Sequence, residues 1–231
     1  MSAERLSVVI FACRVLQDVF EAVVPESLAP RVKFLDYGLH RIPKKMTQVL
    51  QDELGQIEDP SLVVLGYGLC GNGLDGLHAE SHTLLIPRTD DCIAILLGSY
   101  EEYRKQFQAV PGTYYLSKGW IESGSHPLKE YEEIKDKYGQ DEAKWMMDMQ
   151  YKNYERICLV AHSRTDLDTY RPQAREVAQY CEQWGFRYEE ILGSSAYVCQ
   201  LLEVANDLSK ADGNFVVVQP GGVVNQRLFV R

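Results

Sequence analysis

The sequence predicts an α/β fold, a Rossmann-like parallel sheet or pair of sheets with helices on both faces. Three observations carry that expectation. Short β-branched runs recur along the chain, and a longer segment of helical periodicity follows each of them. Proline and glycine stand at the ends of these runs, where turns belong. The 231 residues are 45% apolar and 25% charged, enough to bury a core without disulfide or metal staples.

The elements follow in order. Ser7 to Phe11 reads as the first strand, and Val15, Val19, Phe20 and Val23 recur after it at spacings of three and four. Val32 to Leu35 is a second strand; Pro43 then opens a helix striped by Met46, Val49, Leu50 and Leu54 and closed at Gly55. Leu62 to Leu65 and Leu84 to Ile86 are the third and fourth strands. Ile93 to Leu97 leads into the helix-like Tyr100 to Phe107, and Thr113 to Leu116 is a fifth strand. Pro127 to Tyr154, rich in Glu, Lys and Asp, makes one or two solvent-facing helices. Alternation then resumes with strands at Ile157 to Ala161, Phe186 to Ile191 and Phe215 to Val218. Helices at Tyr170 to Trp184 and Ser194 to Leu208 separate them, with Pro172 in a first turn and Ser194 or Ser195 as an N-cap.

This order fits one α/β unit over 1–231. It also fits two lobes with a cleft, 1–125 bearing cysteines and 155–231 forming a second Rossmann-like part, joined by 126–154. In either arrangement ligands gather at the carboxyl ends of the strands.

Acidic side chains outnumber basic ones 33 to 24, and the net charge of −9 opposes attraction to nucleic acid or to anionic lipid. The apolar run from Leu6 to Ala12 is short and charged Arg14 and Asp18 follow it, so it reads as a strand rather than a signal peptide. No stretch approaches the roughly 20 apolar residues of a membrane span. The expectation is a cytoplasmic protein, in which six cysteines are buried thiols, metal ligands or catalytic groups rather than a disulfide framework.

Three of the six fall just beyond strands: Cys13 after the first, Cys70 after the third, Cys92 after the fourth. If those strands are parallel neighbours, the three thiols converge at one sheet edge. Cys70 lies in Gly66-Tyr67-Gly68-Leu69-Cys70-Gly71-Asn72-Gly73-Leu74-Asp75-Gly76, whose glycines permit positive φ or close approach of another group. Gly68, Gly71, Asn72 and Gly73 are therefore candidate ligand-cradling positions, and backbone N–H groups there would favour a thiolate. Gly66, Gly68 and Gly71, with Asp90 further on, also satisfy a dinucleotide-binding spacing. That motif needs a helix directly under the pyrophosphate, and Asn72, Gly73, Asp75 and Gly76 would disrupt its first turns. Asp90 or Asp91 can cap a helix at Cys92 and bias its sulfur toward thiolate, and Arg88 can grip a ligand carboxylate or phosphate.

His40 follows the second strand and shares the cysteine edge, as a fourth ligand or an acid-base group. His78 and His82 are four apart but lack the glutamate of the metalloprotease pattern, and His82 is the better candidate of the two. His126 and His162 are less informative. Trp120, in Gly119-Trp120-Ile121-Glu122, can stack on a planar ligand, and Gln219-Pro220-Gly221-Gly222 follows the last strand as a possible cleft wall. Cys158, Cys181 and Cys199 sit at strand and helix positions where cysteine acts as a small buried hydrophobe.

Together Ala12-Cys13-Arg14-Val15-Leu16, Leu39-His40-Arg41 with Pro43, the glycine-cysteine segment, Pro87-Arg88 with Asp91-Cys92-Ile93 and Leu97-Gly98-Ser99, and Gly119-Trp120-Ile121-Glu122 resemble the DUF1638 family of bacteria and methanogenic archaea. The resemblance covers most of the first 125 residues and continues only in general pattern beyond them. It implies a setting beside corrinoid-dependent methyltransferases and their reactivating proteins, and it carries over Cys13, Cys70 and Cys92.

Three thiolates suit zinc or an iron-sulfur cluster, and His40 or His82 as a fourth ligand favours zinc. A site of this kind with an open position would serve methyl transfer, with a corrinoid protein or methyltransferase as partner. A metal-free alternative makes Cys70 or Cys92 a nucleophile, His40 its base and the glycine loop an oxyanion hole. A third holds a corrinoid or other small ligand in the cleft without turnover.

Overall fold

The computed structural model describes residues 6–231, apart from the side chain of His40. The chain forms two compact units: one runs to Tyr100 and resumes from Ser194 to Arg231, the other is Glu101–Gly193. Their boundaries differ from the sequence-based division at 125 and 155, because the last helix and strand return to the first unit.

The first unit contains β1 (Ser7–Cys13), the short α1 (Gln17–Glu21), β2 (Val32–Leu35), α2 (Pro43–Leu54), β3 (Ser61–Gly66), β4 (Thr83–Pro87) and α3 (Ile93–Leu97). The next helix, α4 (Tyr100–Ala109), leads into the second unit. There follow β5 (Thr113–Leu116), α5 (Lys118–Glu122), α6 (Pro127–Tyr138), α7 (Gln140–Tyr151), β6 (Arg156–Ala161), α8 (Arg164–Cys181) and β7 (Arg187–Leu192). Finally α9 (Ala196–Asn206) and β8 (Phe215–Val218) complete the first unit.

The fold is mixed α/β with mainly parallel sheets. In the first unit the strand order is β2-β1-β3-β4-β8. β1 pairs in parallel with β2 and β3, and β3 with β4, with Phe11 opposite Leu65 and Val63 opposite Leu84. β3 and β4 are buried along their whole length, as central strands covered on both faces must be. Their runs Leu62-Val63-Val64-Leu65 and Leu84-Leu85-Ile86 are accordingly continuous rather than alternating. The one departure from a parallel sheet is β8, which runs antiparallel to β4. The connection 207–214 delivers Phe215 opposite Pro87, the last residue of β4, so the strand can only run back along it.

The second unit is a parallel three-stranded sheet, β5-β6-β7, with β6 buried throughout. Leu116, Ile157, Leu159, Val177 and Phe186 contribute to its core, and Tyr151 packs rings with Tyr114, Trp184 and Phe186. The charged middle segment forms two helices because Gly139, at φ 95°, breaks it. Helix α8 begins six residues before the expected Tyr170, so Pro172 lies inside it and not in its first turn. Its start is set by Ser163, whose Oγ accepts the Asp166 N–H at 3.0 Å, a capping pair that follows β6 directly.

Candidate functional site

The site is built from the carboxyl ends of three adjacent parallel strands. Cys13 is the last residue of β1, Cys70 lies four residues past β3, and Cys92 caps α3 just beyond β4. All three are buried.

Two backbone hydrogen bonds clip the loops after β3 and β4 together: Leu69 N–H donates to Thr89 O at 2.9 Å and Cys70 N–H to Asp90 O at 2.8 Å. The contact is so close that a Cβ at position 68 would stand 2.6 Å from the Asp91 backbone, and only glycine fits. On the other side α2 holds the loop, because Thr47 Oγ1 donates to Gly73 O at 2.9 Å. A Cβ at Gly73 would lie 2.6 Å from Met46 Sδ.

Between these anchors Cys70, Gly71 and Asn72 take φ of 49°, 63° and 70°, three consecutive left-handed residues closed by Gly73 N–H to Cys70 O at 3.2 Å. For a residue with a Cβ this conformation costs roughly 1–3 kcal/mol, and such strain persists only where neighbours enforce it. The strained turn aims the Cys70 sulfur inward, where the Cys92 thiol hydrogen-bonds to it.

The electrostatics differ from the sequence expectation. A helix N-terminus was to favour thiolate at Cys92, yet its pKa is raised well above the ordinary 9.0, first by the hydrogen bond to Cys70 and then by burial. Helix α3 has only five residues, too few to supply a strong field against those two effects. Burial likewise pushes Cys13 up to about 12, with Cys70 and Asp36 adding in the same direction and the Val15 backbone opposing. The neighbours that raise these thiols further are other thiols and carboxylates. Among the described residues no three or more His, Cys, Asp or Glu side chains already stand in metal-holding geometry.

The remaining candidates are distributed as follows. Gly68, Gly71, Asn72 and Gly73 form the loop just described. The His40 side chain lies outside the described residues. His82 is buried at the opposite, amino end of β4, roughly 16 Å from the cysteine edge at the rise of an extended strand. Its Nδ1 accepts the Ser61 N–H at 3.2 Å, a link between the starts of β3 and β4, so the structure does not bring it to the thiols. Arg88 stands at the correct edge, but its Nη2 donates to Val230 O, and Arg231 Nη2 donates in return to Arg88 O at 2.7 Å. Trp120 lies on α5 in the other unit.

A family model described as "Protein of unknown function (DUF1638)" matches residues 34–202. The chain belongs to the DUF1638 family. The matched range includes Cys70, Cys92 and the glycine loop and begins after Cys13. No curated protein and no solved structure matches the chain.

In this DUF1638 protein the residue that sequence reasoning missed is Tyr67. It is 2% exposed, its hydroxyl has no hydrogen-bond partner among the described residues, and it lies near enough to Cys13, Cys70, Cys92 and Asp36 for each to raise its pKa, behind the larger effect of burial. Thr89 Oγ1, from the loop clipped to Leu69, is similarly buried and unpartnered. An orphaned buried hydroxyl costs about 1–3 kcal/mol and calls for an explanation. The available signal was a tyrosine inside the glycine-cysteine segment, where a large aromatic has no turn-forming role.

Proposed function

We propose that Cys13, Cys70 and Cys92 are thiolate ligands of a soft metal, zinc or an iron-sulfur cluster, at which a small molecule of corrinoid-linked methyl metabolism is bound or acted on. The observation that carries this reading is the convergence of three buried thiols around the unsatisfied Tyr67 hydroxyl. Soft sulfur donors select these metals, and a buried group of thiols is stable either fully protonated or neutralised by a cation. Cys92, whose pKa is raised by its hydrogen bond to Cys70 and by burial, is disfavoured as a free nucleophile near neutral pH.

Metal uptake would displace protons from the thiols and break the Cys92–Cys70 hydrogen bond, so side chains must turn from the arrangement described. The clipped loops carry Cys70 and Cys92 as buried side chains, and the Tyr67 hydroxyl is available to donate to a thiolate or to a bound substrate. When bound, zinc supplies Lewis acidity at a coordinated thiol or water. The corrinoid setting, a corrinoid protein or methyltransferase as partner and a cytoplasmic location extend the family resemblance. No helix among the described residues is long and apolar enough to cross a membrane.

Elemental analysis of anaerobically purified protein tests the reading. Near-stoichiometric zinc or iron is expected, falling at least about tenfold in Cys13→Ser, Cys70→Ser and Cys92→Ser and within about twofold of wild type in Cys158→Ala and Cys181→Ala. Metal-free protein after anaerobic isolation and reconstitution, with rapid alkylation of Cys70 near pH 6, would overturn it in favour of a nucleophile.

A further inference from the structure

Helix α7 presents two unlike faces. Ala143, Met147 and Tyr151 are buried at spacings of four, the stripe that packs on the second unit's core. Trp145 is 66% exposed and Met149 51%, each two residues from a buried position and so about 200° around the helix from it. Isolated exposed apolar residues need no explanation, but a tryptophan and a methionine one turn apart on the outermost ridge of a helix form a patch. Met146, three residues from Met149 on the same helix, extends it, so three of the eleven large apolar side chains exposed among the described residues fall between 145 and 149. Glu142 and Lys152, both exposed, bracket the ridge at its two ends.

This ridge is self-complementary. Around Met147 the sequence is symmetric in character: Trp145 and Met149 lie two residues to either side, Glu142 and Lys152 five residues to either side. When two copies of α7 pack their exposed faces antiparallel about a two-fold axis level with the buried Met147, residue 145 of one copy falls level with 149 of the other, and 142 with 152. Each tryptophan then meets a methionine sulfur, a favourable contact, and each glutamate meets a lysine, twice over by symmetry. A parallel arrangement would instead set glutamate against glutamate and lysine against lysine.

We propose that α7 is a self-association surface, through which two copies of this chain pair antiparallel with Trp145 against Met149 and Glu142 against Lys152. The patch is small beside the roughly 800 Å² per partner of a standard interface, so the dimer should form in the micromolar range.

Sedimentation equilibrium of the full chain tests the proposal. Wild-type protein is expected to shift from monomer to dimer between about 1 and 200 μM, and Trp145→Asp to weaken association at least about tenfold. Glu142→Lys alone sets lysine against lysine at both ends and should weaken it several-fold, while Glu142→Lys with Lys152→Glu restores wild-type association. All these positions are exposed, and circular dichroism confirms that the variants fold. A wild-type monomer throughout that range overturns the proposal, as does a dimer indifferent to Trp145→Asp. Failure of the double charge reversal to restore pairing overturns the antiparallel register.

Discussion

Cys13, at the end of β1, and Cys181, at the end of α8, are both buried, and both thiols are pushed up to about 12. At Cys181 burial is the whole cause, because its surroundings are the apolar core of the second unit. At Cys13 burial dominates, but Cys70 and Asp36 add to it, and at Cys92 a hydrogen bond from thiol to thiol outranks burial. A raised thiol pKa is therefore no mark of function by itself. What separates the groups is company: one cysteine replaces a small hydrophobe, the others have gathered with an orphaned tyrosine hydroxyl.

The largest effect that can break this comparison is alkaline. A thiol at about 12 when folded and about 9 when unfolded keeps its proton longer in the native state, so between those values the folded protein binds more protons. Stability from such a group is complete below pH 9 and declines as pH rises toward 12, by about 1.4 kcal/mol per pH unit and on the order of 4 kcal/mol in all. Cys13, Cys158 and Cys181 all contribute with this sign. In metal-free protein, urea midpoints between pH 9 and 11 should fall less steeply for Cys13→Ser and Cys181→Ala alike. Zinc loading, which deprotonates its ligands, should abolish the contribution of Cys13 and leave that of Cys181. An equal response of both to zinc would remove the distinction.

A smaller effect tests whether the glycine loop creates that company. Gly68→Ala forces a Cβ against the Asp91 backbone at 2.6 Å, and overpacking against main chain should cost about 1–3 kcal/mol, or roughly 3–10 °C in Tm. Gly213→Ala, with nothing within 4 Å and no positive φ, should be neutral or slightly stabilising. Metal content should fall in the first variant and not in the second. Two variants alike in stability and metal content would show that the clip between the two loops does not position Cys70.

The legible part of this site was its topology. Apolar runs fix β1, β3 and β4 by composition alone, and a thiol at or just past the carboxyl end of each strand follows from counting residues. The antiparallel return of β8 was not legible, because a short apolar run reads the same in either direction and its pairing depends on where α9 leaves the chain. Nor was the separation of His82 from the cysteines visible while its residue spacing was read without strand direction: it precedes β4 and they follow their strands. The rise of the Cys92 thiol was missed for a related reason. Helix caps are local and readable, whereas the hydrogen bond from the Cys92 thiol to Cys70 crosses between two loops.

The smallest effect concerns hydroxyls. Tyr67 and Tyr197 are both almost wholly buried in the first unit, but Tyr197 OH donates to Asn214 O at 2.8 Å and Tyr67 OH has no such partner. Tyr197→Phe should therefore cost about 1 kcal/mol, the net worth of a buried hydrogen bond, while Tyr67→Phe in metal-free protein should be neutral or stabilising by up to about 1 kcal/mol. With metal bound the order should reverse for Tyr67 if its hydroxyl serves the thiolates, because removing the donor then takes away a charge-assisted contact. Thermal melts of both variants with and without zinc give the four values needed. A cost at Tyr67 equal to that at Tyr197 without metal would mean that the hydroxyl is satisfied within the chain, and its presence among the thiols would need no ligand to explain it.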